Sequence, residues 1–467
     1  MSAKKKLLKK FRYDTYVTSF RHLPFIEFKI KLNKYGLLDA ESGSKGIHEK
    51  VRTISLPSHH DSFLFKYYGR ILSMCYEQFV EDTDINNIAI AYRHGKSNIT
   101  GAKEVFDFLW QVGDSWIIKG DFSAFFDNLN HQILFKNANR VIKQYFNGRI
   151  PKDWQSVLKA ITKYRSIQKE ELKSFKQYAG RYQVEAKTLS KMMRSGKIKV
   201  GKLNKKGIPQ GTSISSVLAN IYMLEFDELV QKLLDNYGGF YRRYSDDFAI
   251  VVPINNCDLE EIHKLLKQIQ QLCQSRVLLA IEDHKSKLLY FDAQQKIIYQ
   301  AGTSKRYNFD FLGFSFTGKK VILRPKTIYK FHYKGKHAIY LLRRNVNERD
   351  IASSLNYKLM KNIYLSNRPV NKQKKIVMRL DNIHESIKHR ETLKFRKKVT
   401  TMYLINKPLF QQNMLYYAKL AQEKFSENIP NTTSHYQVNI EKPIVKQIGS
   451  FQRMFGKIRL NRPYRNC

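Results

Sequence analysis

Tyr244-Ser245-Asp246-Asp247-Phe248-Ala249-Ile250-Val251-Val252 sets two adjacent carboxylates ahead of a run of apolar, strand-favouring residues. Phe240 to Tyr244 on one side and Phe248 to Val252 on the other read as two strands around a tight turn, the ingredients of a hairpin. Two like charges held that close cost free energy unless a cation offsets them. Hard divalent cations take carboxylate oxygens readily. A surface turn using Asp for its conformational preference explains the pair equally well, so the stretch needs a second observation.

Asp121 supplies it. Ser115-Trp116-Ile117-Ile118 reads as a buried strand ending near Gly120, and Asp121 follows in Lys119-Gly120-Asp121-Phe122-Ser123-Ala124-Phe125-Phe126-Asp127. A carboxylate at one strand's end, facing a carboxylate pair on a neighbouring hairpin, can hold two metal ions. Such a pair activates a hydroxyl and stabilises a leaving oxygen in phosphoryl displacement. Between the two elements lies Lys206-Gly207-Ile208-Pro209-Gln210-Gly211-Thr212-Ser213-Ile214-Ser215. Its glycines and proline bend the backbone tightly, and small residues let a large planar ligand come close to it. By spacing alone this could equally be a loop before a core helix.

Together, and in this order, the three segments resemble the palm motifs of reverse transcriptases: an Asp-x-x-x-x-Phe-Asp segment, a Pro-Gln-Gly segment and a Tyr-x-Asp-Asp hairpin. The likeness extends to Lys285 in Glu282-Asp283-His284-Lys285, to Phe311-Leu312-Gly313-Phe314 as a primer-grip segment, and to Arg52 to Ser58 and Ala91 to Ser97 as fingers segments. It spans roughly residues 50 to 325. The resemblance implies that Asp121, Asp246 and Asp247 are the catalytic, metal-bearing carboxylates for two Mg2+, with Mn2+ as a substitute. It implies nucleotide-binding roles for Arg93 and Lys96 at the triphosphate and for Phe122 beside it. Phe126 would be a gate against a ribose 2′-hydroxyl, Gln210 would lie at the nascent pair, and Lys285 would act as a proton donor. Phe311, Leu312 and Gly313 would grip the primer. A core phenylalanine is the competing reading of Phe125 and Phe126, and a solvated basic loop that of Arg93 and Lys96.

The implied fold is α+β, a right-hand polymerase with fingers and palm followed by a mainly α-helical thumb. Fingers with an N-terminal extension are expected over 1–115, the palm over 116–325 with an insert at about 150–206, and a basic helical domain over 326–467. Gly-Ile-Pro-Gln-Gly and Arg-Tyr-Ser-Asp-Asp are similar to the bacterial branch, which includes group II intron, retron and abortive-infection or antiviral-defence enzymes. A compact palm with a long helical C-terminal region looks most like the abortive-infection and defence-associated group, and that likeness implies a role in bacterial antiviral defence, a dedicated non-coding RNA as template, deoxynucleotides, a DNA product and a homo-oligomer. An RNA-dependent RNA polymerase and a maturase-like RNA-binding scaffold are the two rivals.

Periodicity fills in the rest. Ile133, Leu134, Ala138, Val141, Ile142 and Tyr145 share one helical face, stopped by Gly148 and Pro151. Ile214 to Leu224 predicts a second helix and Leu259 to Ala280 a third, while Phe309 to Leu323 carries strand signals. Strand, helix, helix, hairpin, helix, strand describes a sheet with helices on one side. Lys163 to Lys206 has no clear pattern, and residues 1 to about 115 read as short apolar stretches between basic turns.

Composition agrees with a polyanion partner. The 467 residues hold 83 Lys and Arg against 40 Asp and Glu, a formal charge of +43. A field of that sign concentrates nucleic acid and makes binding steeply salt-dependent. Past Asp310 acids are sparse while cations continue, as at Lys372, Lys374, Lys375 and Arg379, with Phe395, Tyr403, Phe410, Tyr416 and Tyr417 interleaved. That pairing suits a single-strand binding surface, and equally a helical core with a basic outer face. Cys75, Cys257, Cys273 and Cys467 are widely spaced, which argues against a zinc module or disulfide framework. No apolar run reaches the ~20 residues of a membrane span. A soluble, cytoplasmic chain without a membrane partner is expected.

Overall fold

The computed structural model describes residues 8–37, 45–175, 177–178, 181–182, 184–282, 286–344 and 395–460. Two compact units form, each from two stretches of chain: residues 1–97 with 116–288, and 98–115 with 289–467. The chain passes from one unit to the other after residues 97, 115 and 288. The segment 98–115 joins the C-terminal unit because its apolar face is covered by partners distant in sequence.

In the first unit the strand Ser115–Asp121 neighbours Asp247–Pro253, which pairs antiparallel with Phe240–Tyr244. Tyr241 to Tyr244 face Ile250 to Asp247 in register, so the hairpin is as the sequence predicts. Packed with it are the helices His59–Val80, His131–Tyr145, Ser215–Tyr222, Leu224–Asp235 and Leu259–Arg276. Their starts have local causes. Ser58 Oγ accepts from the Asp61 amide at 3.1 Å, Asn130 Oδ1 accepts from Gln132 and Ile133, and Asp258 with Glu261 forms a capping box.

The single helix expected over Ile214 to Leu224 is two helices. Met223 (φ −86°, ψ 0°) breaks it, and the Asn137 side-chain amide donates to the Tyr222 carbonyl at 3.0 Å.

Residues 25–56 contain two long antiparallel strands, Phe25–Leu37 and Lys45–Leu56, where the sequence suggested only short stretches. The segment without a pattern, 163–206, owns a small core of Ile167, Leu172, Leu189 and Ile198, against which Leu23 and Ile26 pack.

The second unit is built around aromatics. The Phe106 ring, on the helix Asn98–Val112, packs on Phe309, Phe316 and Phe425. Lys287–Asp292 (in this unit from Leu289), Ile297–Gln300 and Arg306–Tyr307 pair antiparallel. A four-stranded sheet runs Phe309–Phe311, Phe314–Phe316, Lys320–Leu323, Gln437–Asn439. The helices Pro325–Arg344, Met414–Phe425 and Glu441–Leu460 bear out the helical expectation for the described part of this region. Lys372, Lys374, Lys375, Arg379 and Cys467 lie outside the described residues.

Of the interleaved aromatics, Tyr403 is core, packed on Phe331 and Phe451. Tyr417 stacks on Phe314, and its hydroxyl accepts from the Asn98 side-chain amide at 2.7 Å. Phe410 is exposed beside Tyr416. Among the described residues no helix is long and apolar enough to cross a membrane.

Candidate active site

The Tyr244–Asp247 pair closes a two-residue turn, Ser245-Asp246, in which Ser245 takes φ +60°. Two-residue hairpin loops favour such primed geometry, but a side chain in the left-handed region costs about 1–2 kcal/mol. Strain of this kind persists where surrounding structure holds it. Ser245 is buried, and its Oγ has no hydrogen-bond partner among the described residues. Asp246 is exposed at the tip and Asp247 half-buried on the returning strand.

Asp121 is brought to this tip by the backbone. The Phe122 amide donates to the Asp246 carbonyl at 3.0 Å. On the other side the Glu282 amide donates to the Asp121 carbonyl at 2.8 Å and Ser123 to Ala280 at 2.9 Å. The end of the first strand is therefore clamped between the hairpin turn and residues 280–282. Asp121 is 9 % exposed. Gly120 is required for this approach: a Cβ there would lie 2.1 Å from the Phe248 ring.

The Pro-Gln-Gly segment is laced to the Phe126 turn. The Ile208 amide donates to the Phe126 carbonyl at 2.9 Å and the Gly207 amide to the Leu129 carbonyl at 2.8 Å. Gly207 has φ +74°, and a Cβ would meet the Asp127 carbonyl oxygen at 2.6 Å, so only glycine fits. Gln210 hydrogen-bonds the Asp127 side chain; burial pushes that carboxyl up, and the Gln210 bond partly offsets it. Asp121 and Phe126 thus come from one segment and Gln210 from a second, the two tied together by main-chain bonds.

Phe126 is half-buried and edge-on to Phe125, whose own ring is core. Phe122 is expected beside the nucleotide. Its ring is 2 % exposed and packs on Phe125, Phe226 and Phe248. The residue after a strand-end carboxylate points to the opposite face, so Phe122 contributes its backbone and its core packing.

Arg93 is expected at the triphosphate. Its guanidinium is buried, paired with Glu77 (Nη2 to Oε2 2.5 Å), and donates further to the Asn86 side chain and to the Asn86 and Ala89 carbonyls. It also lies over the Tyr76 ring. These bonds tie Arg93 to the start of the 86–96 loop. Lys96 donates to the Asn86 carbonyl and to Asn87.

Lys285 lies outside the described residues. The primer-grip residues belong to the second unit. Phe311 is core, and Leu312 and Gly313 form a turn with φ +47° and +94°. The Leu312 carbonyl accepts from Asn98 at 3.1 Å and that of Gly313 from the Arg324 amide at 2.9 Å.

Beneath the hairpin lies a pair that the motifs alone did not reveal. Arg243 and Asp227 are both buried and joined through Nη2 and Oδ2 at 2.6 Å, with Nε donating to the same carboxylate. The Tyr241 hydroxyl donates to Asp227 at 2.9 Å. Arg243 Nη1 donates to the Ser245 carbonyl at 3.1 Å, within the strained turn. Burial opposes the Arg243 charge, but the charge of Asp227 and its hydrogen bonds outweigh that and raise its pKa. The Arg243 main chain also bonds Ile88 and Ile90, and Asn220 donates to the Ala91 carbonyl. The available signal was a charged residue on the buried face of Phe240 to Tyr244.

The donor set at the joined strand ends is all carboxylate oxygen, which suits a hard divalent cation. Among the described residues no three His, Cys, Asp or Glu side chains form a ready-made cage. Magnesium is ordinarily held by one or two carboxylates plus substrate phosphates rather than by an all-protein cage, so Asp121 and Asp246 fit that kind of site.

Residues 42–316 match the family described as reverse transcriptase (RNA-dependent DNA polymerase). The chain belongs to the reverse transcriptase family. Its fold is accordingly the α+β right-hand polymerase fold. It is similar to Protein YkfC of Escherichia coli (strain K12), 22 % identical over 249 residues that make up 46 % of this chain and 54 % of that protein. It is also similar to the group II intron-encoded protein LtrA of Lactococcus lactis subsp. cremoris, 22 % identical over 242 residues, 51 % of this chain and 32 % of LtrA. The chain therefore spans about half the length of the first of these relatives and a third of the second. Among solved structures, telomerase from Candida albicans with a TWJ fragment of telomeric RNA gives a TM-score of 0.40 at 12 % identity, covering 97 % of this chain and 70 % of that one. Apo telomerase from Candida tropicalis, truncated from the C-terminal domain, gives 0.39 at 14 %, covering 62 % and 55 %.

Proposed function

We propose that this protein is an RNA-directed DNA polymerase whose catalytic carboxylates are Asp121, Asp246 and Asp247. The observation that carries this is the Phe122 amide bond to the Asp246 carbonyl, which joins the strand-end carboxylate to the hairpin tip. Two Mg2+, held by Asp121 and Asp246 with Asp247 alongside, would supply the charge that in-line phosphoryl displacement needs. Phe126, half-buried and backed by Phe125, limits the room at the sugar edge and so favours deoxynucleotides. Gln210, tied to Asp127, offers an amide to the base pair being formed. The first unit carries fingers and palm, and the second the thumb with the grip turn Leu312-Gly313.

The Gly-Ile-Pro-Gln-Gly and Arg-Tyr-Ser-Asp-Asp segments support a place in the bacterial branch, and a compact palm followed by a long C-terminal region favours its defence-associated members, copying a dedicated non-coding RNA. Among the described residues, the free, buried Cys75, Cys257 and Cys273 suit a reducing cytoplasm. A second reading, an RNA-binding scaffold that keeps the palm without chemistry, is favoured by one observation: Arg93 is committed to Glu77 and its own loop.

Extension of a DNA primer on an RNA template, run in parallel with deoxynucleotides and ribonucleotides, tests the proposal. Deoxynucleotide incorporation is expected. Incorporation of ribonucleotides alone means an RNA polymerase, and full biological function of an Asp246→Asn, Asp247→Asn double variant means a scaffold. Sequencing the nucleic acid that co-purifies then tests the template, with one dominant RNA expected and a random population contradicting the dedicated-RNA reading.

A further inference from the structure

The helix Pro325–Arg344 has two unlike faces. Phe331, Gly335, Ile339 and Leu342 are buried, and Gly335 is so close to the Phe451 ring that a Cβ would lie 2.3 Å from it. On the other side Tyr329, Tyr333 and Tyr340 are 70 %, 61 % and 56 % exposed. Spaced by four and seven residues, they fall on one stripe of the helix. A tyrosine ring left in water loses the burial that normally stabilises it, and three in line make a pattern rather than scattered exposure.

The surroundings of the stripe are cationic. The helix contains no acid, and Lys326, Lys330 and Lys336 are exposed along it. Beside Tyr329 opens a cleft of about 530 Å³ lined by Ile328, Tyr329 and His332 from this helix and by Lys446, Gln447 and Arg453 from Glu441–Leu460. His332 Nδ1 and Gln447 Oε1, 2.7 Å apart, join the two walls. Lys446 and Arg453 are both exposed at the cleft.

We propose that this face and cleft bind single-stranded RNA, with bases on Tyr329, Tyr333 and Tyr340 and phosphates at Lys446 and Arg453. Stacking platforms beside a cationic groove are the chemistry of single-strand binding. At 1.5 Å rise per residue the rings are ~6 and ~10 Å apart along the helix. That is wider than the ~3.4 Å step of a duplex strand, so the rings take bases from an unstacked strand. A base face needs no particular sequence, so binding is sequence-tolerant. The choice of RNA over DNA rests on the polymerase reading, whereas the single-strand site itself does not.

The test is a photo-crosslinking and binding experiment on the full chain without nucleotides. A fluorescent single-stranded oligoribonucleotide carrying 4-thiouridine is used, with its DNA counterpart and an RNA duplex as competitors. Crosslinks are expected on the peptides holding Tyr329, Tyr333 and Tyr340. The triple Tyr→Ala variant at these positions should lower single-strand affinity at least ~tenfold, while the triple Tyr→Phe variant, which keeps the rings, should bind like wild type. Lys446→Ala with Arg453→Ala should flatten the salt dependence by about two phosphate contacts. Unchanged affinity of the triple alanine variant, crosslinks confined to other peptides, or duplex RNA competing as well as single strand would overturn the proposal. If the wild type makes no DNA yet these variants lose binding, the polymerase reading fails and the surface stands. If synthesis is intact and binding does not change, the reverse holds.

Discussion

Replacing Arg243 by methionine removes the donors that hold Asp227 and the Ser245 carbonyl. The side chain is fully buried and its guanidinium makes two short contacts to Asp227, at 2.6 and 2.9 Å. Without it the Asp227 carboxylate keeps only the Tyr241 hydroxyl as a close partner among these groups. Breaking one side of a buried pair costs about 3–5 kcal/mol, within the ~5–15 kcal/mol stability of a domain. The fold should therefore survive, and at ~2–4 °C per kcal/mol for a unit of this size Tm should fall by about 6–20 °C.

A triple variant, Arg243→Met with Asp227→Leu and Tyr241→Phe, removes both charges and the orphaned hydroxyl. Such replacements are often neutral in stability, so Tm should return to within a few degrees of wild type. The Ser245 carbonyl would still lack its charged donor, a bond worth ~1.5–3 kcal/mol. Single-nucleotide incorporation should then remain about 10- to 100-fold below wild type, since each ~1.4 kcal/mol is tenfold in rate. Circular-dichroism melting and quench-flow incorporation give the two readouts. A triple variant as active as wild type would refute a role for Arg243 in holding the turn. An unchanged Tm for Arg243→Met alone would refute the energetics.

Gly207→Ala should destabilise by on the order of 2 kcal/mol, from a left-handed φ and the contact with the Asp127 carbonyl, and should raise KM for deoxynucleotides by displacing Gln210. Thermal melting with steady-state kinetics checks both. Phe126→Ala should narrow the deoxy- over ribonucleotide preference in kcat/KM at least ~tenfold, read by competing the two substrates. Burial pushes the Cys75 and Cys273 thiols up to about 12 and Cys257 up to about 11. At pH 8 all three should stay protonated and resist iodoacetamide until the protein unfolds. Because the folded state holds these protons more tightly, stability should decline as pH rises from the unfolded thiol value, ~8.5, towards 11 and above. Native-state mass mapping of the label and alkaline melting curves test this.

The hairpin and the strand ending at Asp121 were legible because an apolar strand with a polar turn is a local pattern. The lacing of Gly207 to the Phe126 turn was foreshadowed by glycine and proline spacing, which reports backbone bending directly. The core packing of the Phe122 ring and the internal pairing of Arg93 were not legible, because type and order along the chain do not say which way a side chain points or what already satisfies it. The Arg243–Asp227 pair joins residues 16 apart through a helix and a strand, a contact no short window contains. Likewise the helix Asn98–Val112 joins the second unit through rings at 309, 316 and 425. The two strands of 25–56 carry charged residues among their apolar ones, which blurs the alternation that would have announced them.

The most direct test of the three-aspartate assignment is deoxynucleotide incorporation by Asp246→Asn, measured beside RNA binding and Tm of the same preparation. The side chain is exposed at a turn whose geometry is fixed by main-chain bonds, so binding and Tm should match wild type while incorporation is lost. Synthesis at the wild-type rate by a folded, RNA-bound Asp246→Asn protein would contradict the assignment.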